Sequence, residues 1–149
     1  MPTITYNVFI EAAPEKVFPF VGDLLRHPEW TTDEMKMEVI SPGMIGVGSQ
    51  YRSTAKFKGF TIVDELQVVE YQPPTRFAFR VKDIAGRLNH QFVLHSQSDG
   101  TLVERSVFIE EKSLLTKIYH RIVMPMLMPF ISSEMNKALQ LLKARVEQA

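Results

Sequence analysis

Residues Ser113 to Gln148 read SLLTKIYHRIVMPMLMPFISSEMNKALQLLKARVEQ, the one long helical pattern in the chain. Leu115, Tyr119, Ile122 and Met126 recur at spacings of three and four. After a break, Ile131, Met135, Ala138, Leu142 and Val146 continue the pattern. Such a stripe is one apolar side of a helix and needs a surface to cover it. Ser113 is placed to cap the start, and Lys143 and Arg145 suit the negative end of the helix dipole. Fully helical, the stretch spans about 54 Å at the standard rise per residue. Its middle, VMPMLMPFI from Val123 to Ile131, is apolar on every side and holds Pro125 and Pro129. A proline inside a helix removes a backbone bond and pushes away the carbonyl four residues back, so a kink or short break is expected here. Met124, Met126 and Met128 crowd the same place. They are either flexible core filler or one wall of an apolar cavity.

The rest of the chain reads as a surface built to receive that helix. Thr3 to Ile10 alternates as a strand. Residues 14 to 30 form two short helices, with Pro14 at a first helical position, Pro19, Gly22 and Pro28 as stops, and the single tryptophan, Trp30, at the end. Strands follow over 36–41, 48–58, 60–71, 75–82, 86–97 and 101–110, joined by short links. Such links argue for an antiparallel meander. The expected architecture is α+β: a curved antiparallel sheet of about seven strands wrapped on the long C-terminal helix, with the short helices closing one end.

Composition narrows the functional classes. At 149 residues, one domain spanning 1–149 is expected. Seventeen basic residues balance seventeen acidic ones, which gives no global attraction to nucleic acid. The helix region is locally basic, at Lys112, Lys117, Arg121, Lys137, Lys143 and Arg145. The absence of cysteine excludes disulfides, thiolate zinc sites and a cysteine nucleophile. The N-terminus lacks the character of a signal peptide, and no apolar run reaches the length of a membrane span. These features read as a soluble, cytoplasmic protein.

The text also resembles a known family. The matching pieces are AAPEKVFPFVGDLLRHPEW (12–30), GVGSQYR (46–52) and VVEYQPPTRFAFR (68–80), set in the order strand, two short helices, six strands and long helix. Together they resemble the START-like (SRPBCC) superfamily and, within it, the polyketide cyclase/dehydrase-like branch. The resemblance implies a helix-grip fold over essentially the whole chain. It also implies a cavity between sheet and helix that holds a small hydrophobic molecule. The matching motifs are structural and do not fix an activity.

Strand parity suggests the lining. Tyr51, Ser53, Ala55 and Phe57 should face inward on one strand, Phe77, Phe79 and Val81 on another, and Leu88, His90, Phe92 and Leu94 on a third. Strands 60–71 and 101–110 are mixed on both faces, so Glu104 or Ser106 could join the inward set. The candidate ligand-binding residues are Trp30, Tyr51, Ser53, Phe57, Phe79, His90, Phe92, Phe108, Met124 and Met128. Such a lining suits a flat, largely apolar ligand with one or two oxygens.

His90, Tyr51 and Glu104 are the candidates for acid/base work, although a buried neutral histidine with a hydrogen-bond partner is the commoner case. His95 points to the opposite face from His90. His27, near Glu29, Asp33 and Glu34, reads as part of a solvated loop. No metal site and no cofactor are expected, and dinucleotide, phosphate-loop and nucleophile-elbow motifs do not occur.

Three functions follow. The first is a carrier or sensor of a hydrophobic, aromatic, polyketide-like or lipid-like molecule. The second is a cyclase or dehydratase working in the same cavity. The third is a protein- or membrane-interaction module that exposes Met124 to Phe130 on the basic helix. A homodimer is left open.

Overall fold

A computed structural model describes residues 3–31, 34–57, 59–83, 86–110 and 113–149. The order is β1 (Thr3–Ile10), α1 (Pro14–Val21), a 3₁₀ helix (Leu24–Glu29), then β2 (Glu34–Val39), β3 (Gln50–Phe57), β4 (Phe60–Gln72), β5 (Arg76–Asp83), β6 (Gly86–Gln97) and β7 (Gly100–Glu110). The C-terminal helix is built of α2 (Leu114–Ile118), a π turn (Tyr119–Val123) and α3 (Met124–Gln148).

The seven strands form one sheet in the order β1-β7-β6-β5-β4-β3-β2, with every neighbouring pair antiparallel. It is a meander whose first strand returns to lie beside the last. This is the helix-grip arrangement expected from the sequence. The expected strand over 36–41 lies two residues earlier, at Glu34–Val39. Among the described residues no helix is long and apolar enough to cross a membrane.

The core lies between the concave face of the sheet, α1 and the second half of α3. Ala138, Leu139, Leu142 and Val146 on α3 are buried against β1 residues Tyr6, Val8 and Ile10 and against Val17 and Val21 of α1. An ionic clamp fixes this end. Lys143 Nζ donates to the Phe9 carbonyl at 2.8 Å, and Glu147 accepts from the Glu11 amide at 2.8 Å and from Lys143 Nζ at 3.0 Å. The two bonds from Glu11 and Lys143 also hold the Glu147 carboxyl below the usual carboxylate range.

The first half of the helix behaves differently from the expected stripe. Leu115 is 78% and Met126 79% exposed, and Ile122 is exposed as well. Met126 shares one unbroken helix with Leu142, and at about 100° per residue the two face opposite sides. Ahead of Met124 the π turn shifts the phase again. One wide turn takes an extra residue, and each residue advances a helix by about 100°. The line that runs back from Leu142 therefore passes through Met135, Ser132, Met128, Met124, His120 and Thr116, all buried or half-buried. The expected break is thus the π turn immediately before Pro125, and the helix runs on unbroken through Pro129. Ser113 caps the start as expected, its hydroxyl accepting from the Thr116 amide.

Candidate functional site

The inward face of the sheet is graded. Beside α1 it is solid: Trp30, Tyr51, Phe77 and Phe92 are wholly buried. The Trp30 indole N–H donates to the Phe20 carbonyl at 3.1 Å, and the ring meets Phe92 edge-on. Away from α1 the same face opens. Along β4, Val68 and Leu66 are buried and Asp64 is half-buried, whereas Ile62 is 44% and Phe60 73% exposed. Ala55 on β3 and Leu88 on β6 are half-buried. Met124 and Met128 are half-buried on the helix line that runs back from Leu142. The open end of the inward face is thus uncovered at Ile62 and Phe60, beside half-buried Ala55, Asp64 and Leu88.

Among the buried apolar residues of β6 and β7 lies a buried polar group. Arg105 on β7 is 8% exposed, and its Nη2 donates to Nδ1 of His90 at 3.2 Å. Tyr6 faces Arg105 across the β1–β7 ladder, and its hydroxyl shares a hydrogen bond with Ser132 of α3 at 3.0 Å. The guanidinium also lies 5.1 Å from the Phe92 ring centre and 5.9 Å from that of Trp30, within cation–π range. Burial lowers the pKa of Arg105 to about 10, so it stays cationic at neutral pH. Burial, the Arg105 charge and His27 together hold His90 neutral, well below the usual histidine range. The His90 ring stacks on Phe79 at 4.8 Å. Because Nδ1 accepts from Arg105, the ring proton sits on Nε2. Two buried polar atoms on the inward face have no hydrogen-bond partner among the described residues: Arg105 Nε and, on β3, the Tyr51 hydroxyl. Burial raises the Tyr51 pKa, so the phenol stays protonated and keeps its donor.

The structure corrects several expectations. His27 is buried, not solvated. Its Nε2–H donates to the Val21 carbonyl at 2.8 Å, its ring packs against Trp30, Phe77, Phe79 and Phe92, and burial takes its pKa to about 3. Glu104 and Phe108 lie on the convex face, since buried positions on β7 are the odd ones: Thr101, Val103, Arg105, Val107 and Ile109. Glu104 there sits 3.6 Å from His95, and Ser106 bonds Thr5. Glu104 therefore leaves the acid/base set, and Phe108 leaves the lining.

Ser53, Phe79, His90 and Phe92 do face inward and are buried. Phe57 continues β3, paired with Phe60, but its side chain lies outside the described residues. Arg105 was missed because a charge among Val103, Val107 and Ile109 makes both faces of β7 look mixed. The alternation of valines around it was the available signal. Among the described residues no group of three or more His, Cys, Asp or Glu is placed to hold a metal ion.

The fold has many solved relatives. The chain is similar to protein TTHA0849 from Thermus thermophilus, at 21% identity and TM-score 0.74 over 97% of each chain. It is similar to protein CV1439 from Chromobacterium violaceum, at 19% identity and TM-score 0.73 over 99% of each chain. It is also similar to the Aha1 dimer from Colwellia psychrerythraea, at 18% identity and TM-score 0.67 over 99% of this chain and 97% of that one. At such identities the likeness is one of fold. No curated protein matches the sequence. The sequence model of the family described as polyketide cyclase/dehydrase and lipid transport matches residues 1–147. Its span takes in the whole sheet and almost all of the C-terminal helix, and on that match the chain belongs to the polyketide cyclase/dehydrase and lipid transport family of the START-like superfamily.

Proposed function

We propose that the chain is a single domain that binds a small, largely apolar molecule between the open end of the sheet and the first half of the C-terminal helix, as a carrier or sensor. One observation carries this reading: apolar residues on the inward face, Ile62 and Phe60, remain exposed. A folded protein ordinarily buries such a face, and an apolar cleft with a few polar groups at its floor suits a small hydrophobic ligand. The family description, which includes lipid transport, agrees with it.

Native mass spectrometry of freshly purified protein, with organic extraction, tests the reading. A released hydrophobic molecule supports it. So does binding of an anilinonaphthalene probe that is lost in Ala55→Trp, a substitution that fills the cleft floor. Undiminished probe binding by a folded Ala55→Trp protein overturns it. Comparing the extracted molecule before and after incubation separates carriage from cyclase or dehydratase turnover.

The uncovered helix favours a second reading, contact with an anionic bilayer surface. Leu114, Leu115, Ile118, Ile122, Met126, Leu127 and Phe130 are exposed. Exposed Lys117 and Arg121 lie among them, and no Asp or Glu occurs from Ser113 to Ser133. Apolar residues interleaved with cations suit the interface of an anionic membrane. Sedimentation with phosphatidylserine vesicles but not with phosphatidylcholine vesicles, abolished by Leu115→Asp together with Met126→Asp, is the expected result. Equal sedimentation with both lipids, or none with either, excludes it.

A further inference from the structure

We infer that Arg105 anchors an acid: the ligand of this cleft is an apolar carboxylic acid, its carboxylate on the guanidinium and its hydrocarbon part toward the open end of the sheet. The inference rests on the ligand-binding reading above and adds the chemical class.

Four observations lead to it. First, Arg105 is buried on the concave face, where its β7 neighbours Val103, Val107 and Ile109 are buried with it. Second, among the described residues no carboxylate pairs with it. Its polar contact is the neutral imidazole of His90, and the faces of Phe92 and Trp30 supply the remaining attraction. Third, its Nε–H is buried with no acceptor. Fourth, the groups around it are donors or neutral rings. Tyr6 stands opposite and is tied to Ser132, while His90 lies diagonally on β6.

A buried charge ordinarily has a counter-charge, because an unpaired ion in an apolar setting is expensive. Here the protein supplies the cation and the dry surroundings but not the anion. Arginine presents a planar fork of N–H donors that matches a carboxylate with two parallel bonds. A carboxylate on the free Nε–H edge would satisfy the orphaned donor and neutralise the charge in one step. An ester or alcohol of the same shape would accept a hydrogen bond but leave the charge unbalanced. The apolar cleft alone would bind acid and ester alike, so discrimination between them reads Arg105 directly.

The experiment is calorimetric titration of the full chain with decanoic acid and with methyl decanoate, in wild type and in Arg105→Met. Wild type should bind the acid roughly tenfold or more tightly than the ester, the scale of one charge-assisted pair in a buried site. Arg105→Met should bind the two equally. Equal binding of acid and ester by wild type overturns the inference and leaves the ligand-binding reading standing. Binding of neither overturns both. Acid preference that survives in Arg105→Met also overturns it. Should that variant fail to fold, the Nε–H resonance of Arg105 in wild type decides. A downfield shift with the acid and none with the ester upholds the anchor, and no shift with either removes it.

Discussion

Arg105 Nη2 donates to His90 Nδ1 at 3.2 Å, which joins a buried cation to a buried neutral ring with no carboxylate between them. The pair is costly to the ligand-free protein. Replacing both partners by apolar groups of similar shape removes the unpaired charge and leaves no orphan behind. Arg105→Met with His90→Phe should therefore stabilise the chain by about 1–4 kcal/mol. Arg105→Met alone should gain less, because Nδ1 of His90 then loses its donor. His90→Phe alone should destabilise, because it strips the guanidinium of the hydrogen bond to Nδ1. Urea denaturation of all four forms a double-mutant cycle, and a double variant less stable than wild type would refute the account.

Acid should weaken the fold before any carboxylate is protonated. His27 has a folded pKa of about 3 against an ordinary 6.5, and His90 is shifted in the same direction. Both rings are neutral in the folded chain, whereas the unfolded chain takes up protons as pH falls below 6.5. Stability is thus whole above that value and is lost on the way down towards the folded pKa. For His27 alone the loss at pH 5 is about 2 kcal/mol. Urea midpoints at pH 8 and pH 5 measure it. The same pH slope in His27→Gln and in His90→Gln as in wild type would show that other groups carry the effect.

Trp30 lies wholly buried with its indole N–H satisfied. Trp30→Ala should cost about 3–5 kcal/mol, since it both opens a cavity and leaves the Phe20 carbonyl without its donor. A thermal melt close to that of wild type would contradict the packing described.

Met126 and Met128 lie two residues apart and should respond in opposite ways. Met126→Ser is expected to leave stability within about 0.5 kcal/mol of wild type, because the side chain is already in water. Met128→Ser should weaken binding of an apolar probe without unfolding the chain, as its side chain shares the helix face above the cleft. If Met126→Ser proves the more harmful of the two to probe binding, the facing of this helix toward the cleft is refuted.

The fold was legible because two periodicities run almost unbroken through the chain. The seven strands, the short helices and the long helix follow from them, as do the inward faces of β3, β5 and β6. On β4 the register shifts between Val68 and Glu70, so the inward side passes from even positions, such as Leu66, to Tyr71, and the strand looks mixed. A local count does not see the shift, because the extra residue is recognised only against the partner strand. In the helix the expected stripe joined two halves that are out of phase: Met126 and Leu142 lie on opposite sides of one regular helix. His27 failed differently. Flanking Arg26, Pro28 and Glu29 are what a solvated loop looks like, and only the packing of the 3₁₀ helix onto Phe77, Phe79 and Phe92 turns the ring inward.

The Lys143–Glu147 clamp makes the C-terminal helix a cantilever. Its fixed end is tied to the chain at Phe9 and Glu11 and sunk in the core, whereas its other end, from Leu114 to Phe130, is mostly exposed. Bending the free end disturbs little of the packing that resists global unfolding. How firmly the molecule holds together and how quickly its cleft opens are therefore set by opposite ends of one helix. Selection can strengthen the root of the beam without slowing its tip.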